Sequence, residues 1–158
     1  MDGHAFAGGL VTAAACDRRV AVDVGARFAL NEVSISIPMP AAYVRMMAYA
    51  WGEKVAAQLS LFGDQFDPDR AVQLGVVDEL APADQVLERA VAIAEAVPDD
   101  CLEHYAFTKR AAQAAALRDI ADLADPLDEE LPTWFTSPDA QHAHRRYWRQ
   151  LKGSEPTF

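Results

Sequence analysis

The chain has 158 residues, 51% of them hydrophobic and 24% charged, with a formal net charge of −10 at pH 7. That length and balance fit one globular domain with a sizeable core and exclude an intrinsically disordered chain. The acidic balance argues against non-specific binding to nucleic acid or anionic membranes, and no apolar run approaches the ~20 residues that span a bilayer.

The chain opens with Asp2-Gly3-His4-Ala5-Phe6-Ala7-Gly8-Gly9 and continues into an apolar run ending at Cys16 and Asp17. Residues 8–15 read as a short helix, apolar all round and so expected to be buried on every side. Glycines in the turn before it let a ligand approach the backbone, and free N–H groups at a helix start attract developing negative charge. The bland alternative is an ordinary tight turn. A dinucleotide site is the poorer reading, because the full G-x-G-x-x-G spacing and a surrounding βαβ unit are both missing. Arg19 to Val24 alternates like a strand, with Val20, Val22 and Val24 on one face, and Gly25 turns the chain into Arg27-Phe28-Ala29-Leu30. There follows Leu30-Asn31-Glu32-Val33, one acid in an apolar stretch, a setting that suits proton transfer on a carbonyl compound. Its bland reading is a surface or salt-bridged carboxylate. Ser34-Ile35-Ser36-Ile37 alternates again before Pro38 and Pro40 break regular structure.

Residues 41–61 turn helical, with an interruption at Gly52. Asp67-Pro68 supplies an N-cap and a first-turn proline for a short helix that Gly75 ends. Residues 76–80 read as a brief strand. Pro82 and Asp84 start a periodic helix carrying Val86, Leu87, Ala90, Ile93, Ala94 and Val97, which Pro98 stops. Asp99 or Asp100 caps the next helix, to about Leu117. Further helices are expected over residues 120–130 and 139–151, and the tail from Gly153 to Phe158 is expected to fray.

Cys16 and Cys101 show no ligand spacing and are expected to be reduced and buried, which, with no signal or transit peptide at the N-terminus, suits the cytoplasm. His104, His142 and His144 read as surface residues. Arg145, Arg146, Arg149 and Lys152 favour the end of the last helix by their charge alone. Trp134, Phe135, Tyr147 and Trp148 read as core or subunit-interface anchors.

The opening octapeptide, Ala15-Cys16-Asp17, Phe28-Ala29-Leu30-Asn31-Glu32 and the stretch from Phe66 to Pro82 together resemble the crotonase (enoyl-CoA hydratase/isomerase) superfamily. The last of these is similar to the family's A-x-x-x-G-[LIV]-V-[DN]-x-[LIV]-x-P segment, and the resemblance covers nearly all of residues 2–152. Leu30-Asn31-Glu32 and the run from Ala7 to Val11 look most like the Δ3,Δ2-enoyl-CoA isomerase branch. The resemblance implies an α/β fold: a partial ββα spiral core with the active-site segment over residues 1–80, then a helical trimerisation region over residues 81–158.

It also implies an enzyme acting on acyl-CoA, with Glu32 as the base and the Gly8 N–H as one of two oxyanion-hole donors. His4, Ala5, Phe6, Gly9 and Met39 would contact substrate, and His4 reads as a pocket-wall residue. Hydratases of this family carry a second glutamate just after the glycine turn, where this chain has Val11. No cofactor is implied beyond the coenzyme A of the substrate, no metal, and a homotrimer or hexamer is the expected assembly. The sharper reading of the basic last helix is contact with coenzyme A phosphates.

Against the family pattern, an N-terminal half is expected to be missing, which makes the chain a fragment, a late-started or a truncated form with apolar surface exposed on its early strands and helix. Two other functions follow from the same residues. One is a hydratase or related acyl-CoA reaction in which the missing half brings another acid. The other is a non-catalytic truncated paralogue that serves as an assembly partner.

Overall fold

A computed structural model describes residues 1–152, with side chains for residues 1–123 and 128–150. Two parallel strand pairs form its centre. Strand β1 (Ala5–Phe6) pairs with β3 (Phe28–Ala29), with Ala5 beside Phe28 and Phe6 beside Ala29. Strand β2 (Val20–Val22) pairs with β4 (Glu79–Ala81), with Val20 beside Glu79. On its other side β2 bonds the first residue: the Val22 amide donates to the Met1 carbonyl at 2.9 Å, and the Met1 amine to the Val20 carbonyl at 2.7 Å. All three residues of β2 are buried, so both faces of the strand are covered and the expected alternation is absent. Val24, placed by that alternation on the inner face, is 73% exposed.

Helix α1 (Gly8–Ala14) follows β1, and Leu10, Val11, Ala13 and Ala14 bury its inner side. It is not buried all round, since Thr12 is exposed and its hydroxyl bonds the Gly8 carbonyl at 2.8 Å. Helices α2 (Ala41–Trp51) and α3 (Glu53–Phe62) meet at Gly52, whose φ of 85° breaks the helix where the sequence indicated. Met47 and Trp51 of α2 are buried within the chain, while Tyr49 is exposed. Helix α4 (Pro68–Gln73) begins as predicted, with the Asp67 carboxylate accepting the Arg70 amide at 2.9 Å.

Helix α5 (Val86–Glu95) buries only Val86 of its apolar stripe, and Leu87 is 75% exposed. Beyond it a 3₁₀ turn (Asp99–Cys101) leads into α6 (Leu102–Asp128), one continuous helix of 27 residues where two shorter ones were expected. Neither Asp99 nor Asp100 caps it; its N-cap position is Cys101. A short α7 (Leu131–Thr136), not anticipated, precedes α8 (Pro138–Lys152), which Ser137 Oγ caps by accepting the Ala140 amide at 3.1 Å. The expected fraying from Gly153 to Phe158 lies outside the described residues.

Phe28, Leu10, Leu30, Met47, Val76 and Val77 are the large side chains shut off from solvent, so the core sits between the strands, α1 and α2. The exposed apolar side chains lie mainly on α3, α5, α6 and α7, not on the early strands and α1, because the two strand pairs and α2 already cover the latter. Cys16 and Cys101 are both exposed free thiols, contrary to the burial expected from their apolar neighbours. Cys16 lies just past the end of α1 and Cys101 at the N-cap position of α6.

Candidate active site

Parallel pairing brings the C-terminal ends of β1 and β3 together. The Ala7 amide donates to the Ala29 carbonyl at 2.9 Å, one residue beyond the paired register. From that point β1 enters α1 at Gly8, and β3 runs through Leu30 and Asn31 to Glu32. Ala7 takes φ 50° and ψ −125°, a left-sided conformation unusual for a residue with a Cβ. The turn places Gly8 and Gly9 in the exposed first turn of α1, where a helix has no internal acceptor for their amides.

Glu32 caps a 3₁₀ turn (Val33–Ile35), and its carbonyl accepts the amides of Ile35 and Ile37, both at 3.0 Å. This turn replaces the strand that the alternation of residues 34–37 suggested; Ser36 closes it at φ 57°. The carboxyl is half-buried, and its Oε2 is buried without a hydrogen-bond partner. Burial pushes its pKa above the ordinary carboxylate value, and a hydrogen bond from its own backbone opposes part of the rise. Among the described residues no ion pair satisfies it, so the surface salt-bridge reading fails.

The other predicted contacts divide. His4 is exposed, but its Nδ1 accepts the Arg27 amide at 2.9 Å and its ring stacks on Phe6 at 5.8 Å. That bond makes His4 a brace between the segments leading into β1 and β3. Ala5 is buried and Phe6 half-buried beside it. Met39 lies apart, in a cleft of about 510 Å³ shared with Val44, Leu123, Leu131 and Trp134. Val11 is buried in the core, so that position brings no proton carrier to the turn.

Three features around Glu32 take a place that the sequence reading did not assign to them. Asn31 is buried with an unpartnered Oδ1 next to Glu32 in the chain. Gly63, after α3, adopts φ 66° against the Glu32 segment, and the Arg146 guanidinium reaches back from α8 to the Ser34 carbonyl at 3.3 Å. The glycine at a helix end was the one visible hint. Arg146 therefore has a structural partner, which the charge of α8 alone did not reveal.

Fold and site together define a crotonase-like α/β protein. Residues 1–149 match the family model described as enoyl-CoA hydratase/isomerase, and the chain belongs to that enzyme family. It is 27% identical over 156 residues to the mouse mitochondrial enoyl-CoA delta isomerase 1, covering 96% of this chain and 53% of that protein. The 2,3-dehydroadipyl-CoA hydratase of Escherichia coli is 31% identical over 94 residues, which are 60% of this chain and 36% of that one. A crystal structure of an enoyl-CoA hydratase from Mycobacterium avium superposes with a TM-score of 0.74 at 29% identity, covering 99% of this chain and 59% of the other. The chain thus spans about half the length of the mouse protein it matches.

Proposed function

We propose that this chain carries the proton-transfer half of an acyl-CoA isomerase that moves a double bond from C3 to C2 of the acyl group. The observation that carries this reading is the buried, unpartnered Glu32 carboxyl oxygen, which lies just beyond β3, the strand whose partner leads into Gly8. Glu32 as carboxylate takes a proton from C2, and the electron pair spreads over the C3=C4 bond and the thioester oxygen. The same carboxyl then returns the proton to C4, so one acid/base group suffices. Val11 at the position of the hydratase's second glutamate supports the single-base scheme.

The Gly8 amide donates to the developing oxyanion; losing one such donor costs ~100- to 1000-fold in rate. Gly9, Phe6, Ala5 and His4 line the approach from the β1 side, and Met39, in its separate cleft, is the contact for the far end of the acyl chain. Burial of Glu32 raises its basicity as an anion, which helps abstract a weakly acidic C2 proton. In the same reading the chain assembles as a homotrimer or hexamer in the cytoplasm and takes no cofactor besides substrate coenzyme A. The exposed Leu87, Phe107 and Trp134 supply apolar surface for that assembly.

Assaying the protein with a 3-enoyl-CoA and a 2-enoyl-CoA tests the reaction. Isomerisation that vanishes in Glu32→Gln supports it. Hydration that survives Glu32→Gln refutes it and favours the hydratase. A soluble chain inactive on both substrates that co-assembles with a full-length homologue would instead be the assembly partner.

A further inference from the structure

The 3₁₀ turn that carries Glu32 is gripped from two sides by residues far away in sequence. On one side is the end of α3. Gly63 sits so close to the turn that a Cβ there would lie 2.8 Å from Ser34 Oγ, 3.2 Å from the Leu30 carbonyl oxygen and 3.5 Å from Asn31 Cα. Contacts of 2.8 Å are not made by real Cβ atoms, and φ 66° independently favours glycine here. Two reciprocal backbone bonds between Phe28 and Phe66, at 2.9 and 3.0 Å, tie this segment to β3 itself. The gap between Gly63 and the turn is therefore fixed at its base.

On the other side is α8, whose buried Ala140 and Ala143 seat the helix and whose Arg146 donates from Nη2 to the Ser34 carbonyl at 3.3 Å. Ser34 is thus the shared point: its Oγ marks the Gly63 side and its carbonyl the Arg146 side.

We propose that Gly63 and Arg146 are positioning residues that clamp the Glu32 turn between α3 and α8, holding the carboxyl in its buried, unpaired setting. The consequence for catalysis rests on the reading of Glu32 as the base. Neither residue touches substrate; each acts through Ser34 and the turn. The clamp explains how a two-residue strand, which holds few ladder bonds, keeps the residues beyond it in place. The gripping elements carry Asp64 after α3 and Asp139, His142, His144, Arg145, Arg146, Tyr147 and Arg149 on α8, and the rise in the Glu32 pKa has burial as its cause. Displacing the turn therefore changes the titration through solvent access.

The test is a carbon-13 titration of the Glu32 carboxyl in the whole chain, assigned by the signal lost in Glu32→Gln. Gly63→Ala, Arg146→Ala and Arg146→Lys are compared with Gln141→Ala, an exposed control on α8. The midpoint is expected to fall toward the ordinary carboxylate value in Gly63→Ala and Arg146→Ala, to be held partway by Arg146→Lys, and to stay put in the control. Turnover of 3-enoyl-CoA is expected to fall ~10-fold or more in the two clamp variants, with KM little changed.

Unchanged midpoints in folded Gly63→Ala and Arg146→Ala overturn the proposal. If Gly63→Ala loses its helical circular dichroism, Arg146→Ala decides alone, since its guanidinium lies at the surface. Loss of fold in both also overturns it, because the residues would then hold up the whole chain. The midpoint reads the clamp whether or not Glu32 moves a proton. A clamp-dependent midpoint in a protein that still isomerises as Glu32→Gln would refute only the base assignment.

Discussion

The Ala7 amide and the Ala29 carbonyl meet at 2.9 Å, and this bond sets the two halves of the candidate site side by side. One residue past Ala7 is Gly8; three past Ala29 is Glu32. Parallel strands place both loops at the same edge of the sheet, the carboxyl end, where open α/β sheets collect their ligands. Two residues per strand suffice because His4 braces the strand start through the Arg27 amide and Phe66 bonds β3 from its other edge.

Glu32 gives a pH signature in stability. Its folded pKa is raised by burial, so ionising it is harder in the folded chain than in the unfolded one. Its contribution to stability is fully present below the unfolded value and is lost as pH rises through the folded one. Glu32→Gln, which cannot ionise, is expected to gain in Tm relative to the parent as pH rises through that window, with a constant difference below it. Thermal melts of both proteins from pH 4 to 8 check this, and parallel curves throughout would contradict it.

The opposite sign is expected at Asp17. A hydrogen bond from Lys109 at 2.6 Å, then one from the Tyr105 hydroxyl at 2.7 Å, hold its carboxyl below the ordinary value against the opposing effect of burial. Its stabilisation is present above the unfolded value of 3.8 and is lost as pH falls through the depressed folded one. Lys109→Met should lower stability at neutral pH by less than about 1 kcal/mol, since both side chains remain over one-third exposed. The difference should shrink in acid. Denaturant titrations at pH 7 and pH 3 measure both parts.

Asp67→Ala removes the one side-chain N-cap of α4, the acceptor for the Arg70 amide at 2.9 Å. A loss of about 1 kcal/mol is expected by urea unfolding, with Asp67→Asn recovering most of it.

Local chemistry made part of this fold legible. The Asp67-Pro68 start and the break at Gly52 depend on the residues themselves and appear where the sequence puts them. Glu32 stood out for a similar reason, as one acid among apolar neighbours. What failed depended on distant partners. Residues 34–37 alternate like a strand, yet find no strand to pair with and coil into a 3₁₀ turn under α3 and α8. The alternation of Arg19 to Val24 was misleading because the folded chain covers both faces of β2. Cys16 and Cys101 sit among apolar residues in sequence but at helix ends in space, a distinction that composition does not carry. The Gly63 and Arg146 contacts needed the folded chain to bring residues 63 and 146 to residue 34.

The most direct measurement of the single-base account follows a deuterium label placed at C2 of a 3-enoyl-CoA. If Glu32 alone carries the proton, part of the label reappears at C4 of the 2-enoyl product, and Glu32→Gln abolishes both the conversion and the transfer. Conversion by Glu32→Gln at the parent rate would contradict the account, because some other group would then be moving the proton.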